Sequence, residues 1–344
     1  MPKLNKPLSN AKRLSIKDIA KQANVSITTV SFILNGKAQQ MAISAAVIEK
    51  VEKTIKESGY KPNQVARSLR TGNSKIIGLI VEDISNPFFA SIARLIEDKA
   101  YKKGYKIMYS STENDINKAK DLIDMLRSRN VDAYIIAPTL GIEEDVTQLL
   151  KDRKPIIFFD RNLPGLEIPY VGADHLEASY KAVESFITRG KKNIAFVSID
   201  LQVQQIEERY IGYKKAIDDN GLKFNERLAL KIPFNQPKED TVNQIKSLLT
   251  TESIDAILFA TNYLALSGLT AINELNKKIN EDFLVIAYDD RDLFKLHTPK
   301  ISAIEQPLES IAENVINLIL SELDSKSNLD NNRQIILPTN LILR

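Results

Sequence analysis

Apolar residues recur at helical spacing through roughly the first sixty positions of this chain and then change rhythm. In SIKDIAKQANVSITTVSFILN, residues 15–35, Ile16, Ile19, Ala20 and Ala23 share one face, and Val30, Ile33 and Leu34 share another. That spacing predicts two short helices around a tight turn. Ser15 with Asp18 three residues on is a variant capping box for the first helix, and Ser26 can cap the second. Asn24 stands where the chain must reverse, and Asn tolerates left-handed backbone angles, so the turn needs no glycine. A third helix is predicted from a cap at Ser44 through Val47, Val51 and Ile55 to Ser58, with Gly59 as its stop. The next segment, YKPNQVARSLRTGNSK, is too polar and too short for a core helix. Pro62 and Asn63 can start a helix, Gly72 can end it, and Val65, Ala66 and Leu69 form its apolar stripe. Isolated helices shorter than about 12–15 residues are marginal in water, so this one is expected to order only against a docking surface.

From Lys75 onward short apolar runs alternate with amphipathic stretches, the α/β pattern of doubly wound parallel sheets covered by helices on both faces. KIIGLIV, YKIMYSS, DAYIIAP, KPIIFF, NIAFVS, DAILFA and FLVIAYD read as buried strands. Phe88 to Lys103 and Asn117 to Arg129 read as two of the helices. This part of the chain is long enough for a large core and for division into two.

Charge separates the two parts. Residues 1–75 hold 14 Lys and Arg against 4 Asp and Glu, a net of +10; with 47 basic and 44 acidic residues in all, the remainder is 33 against 40, a net of −7. A basic head on an acidic body is the footprint of a phosphate-binding module. Periodicity alone fits an ordinary helical hairpin as well as a DNA-reading pair, and the charge favours the latter. The outer and leading positions of the second helix, Ser26, Ile27, Thr28, Thr29, Ser31, Phe32 and, at its end, Asn35, are then the candidates for contact with bases.

DIAKQANVSITTVSFILNG, GYKPNQVARSLRTG, IGLIVEDISNPFF, RYIGY and YDD together resemble the lactose repressor and galactose repressor family of transcription regulators, over nearly the whole chain. The resemblance implies a basic arm at 1–13, a helix-turn-helix domain at 14–61 and a hinge helix and linker at 62–74. It implies a two-lobed, periplasmic-binding-protein-like core at 75–344. The amino-side lobe is expected at about 75–173 and 306–328 and the carboxy-side lobe at about 174–305 and 329–344. In that family the hinge folds on operator binding and a leucine wedges into the minor groove. This assigns DNA contacts to Asn63, Ala66, Leu69 and Arg70, with Leu69 as the wedge; an apolar wedge offsets unstacking by bending the duplex onto more protein. The chain departs from the family at Phe32, commonly Arg, at Val47 and Ile48, commonly Thr-Arg, and in a stretch from Gly36 to Ile43 about three residues longer than usual.

Open sheets of this kind bind ligands beyond the carboxyl ends of their strands. Asn86, Phe88 and Phe89 follow the first strand, Asp160 and Arg161 follow KPIIFF, Arg209 follows NIAFVS, Thr261 and Asn262 follow DAILFA, and Asp289 follows FLVIAY. Carboxylates and guanidinium can grip vicinal hydroxyls bidentately while an aromatic face covers the CH side, so a carbohydrate effector is expected, with Arg209 and Asp289 as the firmest assignments by resemblance. Thr261-Asn262 replaces a usual Asn-Asp pair and Ala287 a frequent Gly.

Nothing supports catalysis or a cofactor. There are no cysteines, and His175 and His297 lack metal-ligand spacing. No hydrolase elbow, Walker loop or dinucleotide fingerprint occurs, and Asp289-Asp290 lacks the matched partner that a glycosidase needs. With no secretory or membrane-spanning stretch, a cytoplasmic protein is expected. The chain stops at ILPTNLILR without a heptad-bearing tail, so a homodimer on a pseudo-palindromic operator is expected. The resemblance implies a sequence-specific DNA-binding regulator, expected to be a repressor, whose operator affinity is controlled allosterically by a small molecule; the alternative is a solute-binding protein with a basic extension.

Overall fold

The computed structural model describes residues 14–61, 72–324 and 333–344. The chain forms two compact units, Met1–Ser74 and Lys75–Arg344.

In the first unit, α1 (Ile16–Ala23), α2 (Ile27–Leu34) and α3 (Ala45–Ser58) enclose a small core of Ile19, Ala20, Ala23, Val30 and Val51. Both halves of the Ser15/Asp18 capping box form, and Asn24 takes the left-handed conformation at φ 54°. The Ser26 hydroxyl accepts from the Thr29 amide at 3.0 Å. Ser44 was expected to cap α3 with its side chain and does not; its carbonyl still accepts from the amides of Val47 and Ile48, which suffices to start the helix. The expected hinge contacts Asn63, Ala66, Leu69 and Arg70 lie outside the described residues.

The second unit begins β1 (Ile76–Val81), α4 (Pro87–Lys102), β2 (Lys106–Ser111), α5 (Ile116–Ser128), β3 (Ala133–Ile136), α6 (Glu143–Lys151), β4 (Ile156–Phe159) and β5 (Tyr170–Ala173). It continues with α7 (His175–Thr188), β6 (Ile194–Asp200), α8 (Gln204–Asp219), β7 (Ala229–Pro233), α9 (Lys238–Thr251), β8 (Ala256–Phe259), α10 (Asn262–Glu274) and β9 (Leu284–Tyr288). The last elements are α11 (Asp292–Leu296), β10 (Ser302–Glu305), α12 (Leu308–Leu323), β11 (Gln334–Leu337) and β12 (Asn340–Ile342).

The strands form two six-stranded sheets, ordered β11-β5-β4-β3-β1-β2 and β12-β10-β9-β8-β6-β7. The paired strands run parallel except β12 against β10. Helices α4 and α12 bury Ile92, Ile96, Val315 and Ile319 on one face of the first sheet, and α5 and α6 bury Ile123, Leu126, Val146 and Leu149 on the other. In the second sheet Val183, Phe186, Tyr213 and Ile217 of α7 and α8 cover one face, and Ile245, Leu249, Leu264 and Ala271 of α9 and α10 cover the other. Strands covered on both faces carry unbroken apolar runs, which is why β1, β3, β4 and β8 are so visible in the sequence.

Strands β5, β7 and β10 were not expected. Each is five residues or fewer, β5 contains Gly172, and β7 is a partly exposed edge. The chain crosses between the lobes after Ala173 and near Gln306, as the resemblance implies, but the third crossing corrects the expectation of one near Asn328. Strand β11 pairs in parallel with β5 of the first sheet, and β12, beginning three residues after β11 ends, pairs with β10 of the second. Residues 334–337 therefore belong to the amino-side lobe. In the sequence ILPTNLIL is one apolar stretch broken by Pro338, and only pairing shows that its halves enter different sheets.

Candidate functional site

On α2, Val30 is buried and Ile33 and Leu34 pack against the small core, which turns the opposite face outward. Ile27 is 44% exposed and Thr28 is also exposed; Ser31 and Phe32 are half-buried without belonging to that core. Ser26 Oγ and Thr29 Oγ1 are hydrogen-bonded to each other at 2.8 Å, and Asn35 Nδ2 donates to the Ser31 carbonyl at 2.5 Å. Three of the seven expected readers thus hold the helix ends, while Ile27, Thr28, Ser31 and Phe32 form the surface of the helix itself.

In the core, the carboxyl ends of the two sheets meet at a narrow waist. Asn86 caps α4, its Oδ1 accepting from the Phe88 amide at 3.1 Å and from Asn262 Nδ2, across the lobe boundary, at 3.1 Å. Asp160 and Asp289 end β4 and β9 in left-handed conformations, φ 64° and 63°, a backbone state that persists for a non-glycine residue only where the surroundings hold it. Asp289 accepts from Asn262 Nδ2 at 2.6 Å and from Gln306 Nε2 at 2.7 Å. Asp160 accepts from Gln205 Nε2 of the other lobe at 3.1 Å. Burial pushes the Asp160 carboxyl up to about 6, against the opposing pull of the Arg161 and Arg209 cations. Arg161, itself buried, donates Nε to Asp160 at 3.4 Å, Nη1 to Asn114 at 2.6 Å and Nη2 to Glu82.

Arg209 of α8 is held from three sides. Its Nη1 donates to the Ala260 carbonyl at 2.6 Å, Nε and Nη2 face His175 Nδ1 at 3.4 Å, and its plane lies 3.9 Å from the centroid of the Tyr288 ring. Arginine only donates, so Nδ1 of His175 is an acceptor and the ring proton sits on Nε2. Burial, and then the Arg209 cation, hold the His175 pKa well below the ordinary histidine value. Gly212 permits this arrangement: a Cβ there would stand 2.2 Å from the Leu176 carbonyl oxygen, so α7 and α8 approach closely enough for His175 to meet Arg209.

Phe88 and Phe89 are both buried, edge to face at 5.0 Å, with Phe89 continuing to Phe159 at 6.2 Å. Both line the waist, and Phe88 also lines the recess beside it. The waist has about 40 Å³ of free space, while the recesses on its flanks measure about 640 and 430 Å³.

All seven expected effector residues, with Arg161 and Thr261, line the waist. Glu82, Gln205 and Gln306 also line it and were missed, as was His175 beneath Arg209. Gln205 carried a usable signal, since it sits one helical turn before Arg209 on the same face; Glu82 and Gln306 had none within their own segments. The arrangement offers oppositely placed carboxylates, amides and guanidiniums with aromatic cover, which is hydrogen-bonding rather than nucleophilic chemistry. Among the described residues no group of three or more His, Cys, Asp or Glu could hold a metal ion.

Residues 15–63 match the family model described as bacterial regulatory proteins of the lacI family. Residues 74–233 match that of periplasmic binding proteins and the sugar-binding domain of the LacI family, and residues 183–344 a periplasmic binding protein-like domain. The chain is 30% identical to the ribose operon repressor of Halalkalibacterium halodurans over 331 residues, 96% of each protein. A LacI family regulator from Enterococcus faecium, solved with bound ribose, superposes with a TM-score of 0.70 at 25% identity, covering 78% of this chain and 97% of that one. The lac repressor dimer bound to operator shares the fold over 97% of this chain and 98% of its own, with a TM-score of 0.83 at 22% identity. With a reading head, a two-lobed core and relatives matched from end to end, the chain belongs to the LacI family of DNA-binding transcription regulators.

Proposed function

We propose that the waist binds a monosaccharide as effector, and that its binding alters how tightly a homodimer holds a pseudo-palindromic operator in the cytoplasm, without chemical turnover. The observation that carries this reading is the set of hydrogen bonds already spanning the lobes, Asn262 to Asn86 and Gln205 to Asp160. A small-molecule pocket typically measures about 300–1,000 Å³, so a sugar occupies the waist only by exchanging those bonds for bonds to its own hydroxyls. Ligand and lobe geometry are thereby linked. Asn86, Asp160, Arg209, Asn262 and Asp289 hold hydroxyls, Phe88 and Phe89 cover the ring, and Gln306 fixes the Asp289 carboxylate. Ribose is the first ligand to try, given the relatives from H. halodurans and E. faecium.

On the DNA side, Ile27, Thr28, Ser31 and Phe32 read the major groove, with Ser26, Thr29 and Asn35 at the helix ends beside the backbone. Phe32 can touch a thymine methyl but offers no bidentate contact to guanine. Asn63, Ala66, Leu69 and Arg70 are assigned to the minor groove. The test begins with an operator selected from a random duplex pool and titrated in gel shifts with and without ribose, xylose or glucose. One of these sugars should shift the midpoint about 5- to 150-fold, and Asp289→Ala should remove the shift. A sugar that binds without moving operator affinity, or an Asp289→Ala protein that still responds, overturns the reading.

A further inference from the structure

The waist carries an excess of negative charge. Glu82, Asp160 and Asp289 face only two cations among its lining residues, Arg161 and Arg209. Both guanidiniums already hold acceptors of the protein. Arg161 directs Nε, Nη1 and Nη2 to Asp160, Asn114 and Glu82. Arg209 is committed to the Ala260 carbonyl and His175 and lies against Tyr288. Glu82 makes the difference. It directly follows the apolar strand β1, it is 7% exposed, and its carboxylate accepts from Nη2 of a guanidinium that is itself 3% exposed. Without its charge the lining would balance, two acids against two bases, and Nη2 of Arg161 would lose its anionic partner. Buried charges discriminate strongly because water cannot screen them.

We propose that Glu82 is a charge filter: by occupying Arg161 and leaving the waist with surplus carboxylate, it excludes phosphorylated and carboxylated sugars and reserves the site for uncharged ones. Hydroxyls donate to Asp160 and Asp289, whereas a phosphate brings only acceptors and further negative charge. This inference rests on the sugar reading above and adds the class of sugar.

The test is calorimetric titration of the full chain at pH 7.5 and constant ionic strength with ribose, xylose and glucose, each paired with its monophosphate. The wild type should bind one neutral sugar at least 100-fold more tightly than its phosphate. Because phosphate also adds bulk, the deciding comparison keeps size constant: Glu82→Gln should narrow that ratio at least tenfold, and Glu82→Ser, which frees more space, should narrow it at least as far. Circular dichroism identifies any variant that fails to fold, and the variant that folds then carries the comparison. Binding of a phosphate within tenfold of its neutral sugar, or in preference to it, overturns the filter and leaves the sugar reading intact. An unchanged ratio in folded variants does the same. Binding of neither class overturns both.

Discussion

At the level of single residues, the waist sets two ionisable groups against each other. His175 has its folded pKa held below the ordinary 6.5 by burial, so the unfolded chain takes up a proton first as pH falls. Its contribution to stability is present above about pH 6.5 and is lost below it, at no more than about 1.4 kcal/mol per pH unit. His175→Asn keeps an acceptor for Arg209 without a titrating ring. Urea unfolding at pH 7.5 and 5.0 should therefore show a smaller loss of stability in the variant than in the wild type; equal losses would place the acid sensitivity elsewhere. Asp160 has the opposite sign. Its folded pKa of about 6 lies above the ordinary 3.8, so its contribution is present below about pH 4 and disappears as pH rises through 6. On the proposed reading it is the ionised form that accepts sugar hydroxyls, and that form prevails above pH 6. Sugar affinity of the wild type should weaken as pH falls below 6, and Asp160→Asn should bind more weakly at pH 7.5 and show no such inflection.

At the level of elements, the placement of Arg209 depends on how closely two helices pack. The Gly212 Cα faces the Leu176 carbonyl, and an added methyl would meet that backbone oxygen at 2.2 Å and Ser179 Cβ at 3.0 Å. Alanine gains about 1 kcal/mol of helix propensity over glycine, but overpacking a close contact costs about 1–3 kcal/mol, and backbone cannot step aside as a flexible side chain can. Gly212→Ala should lower stability on balance and, by tilting α8, weaken sugar binding more than it weakens folding. The check is to compare urea midpoints with sugar titrations of the same protein. A Gly212→Ala protein that is more stable and binds normally would mean the two helices have room to spare. The same scale accounts for the head, where a reciprocal Ser15/Asp18 cap, a left-handed Asn24 and the Ser26 cap specify two helices in 20 residues.

For the molecule as a whole, the proposed function couples a ligand at the waist to DNA at the head, and the expected hinge carries part of the cost. Ordering a residue's backbone costs about 1–2 kcal/mol, so a hinge of about seven residues costs on the order of 7–14 kcal/mol per subunit if it folds on DNA. A coupling of about 1–3 kcal/mol can tip that balance. Leu69→Ala should weaken operator binding in gel shifts while sugar titrations stay at the wild-type value; unchanged operator affinity would remove Leu69 from the DNA contact. Among the described residues no helix is long and apolar enough to cross a membrane. The sequence by itself determined what is local: the three helices of the head, the strands buried on both faces, and the placement of Asn86, Asp160, Asn262 and Asp289 at strand or helix ends, with Arg209 in the helix after β6. Those features depend on neighbours within a few residues, so periodicity, caps and turn residues expose them. Tertiary structure alone decided which polar groups share the waist. Glu82 meets Arg161 across 79 positions, His175 meets Arg209 across 34, and Asn86 meets Asn262 across 176. It also decided that ILPTNLIL divides between two sheets, because strand pairing is a long-range choice made by edges that the local pattern does not encode.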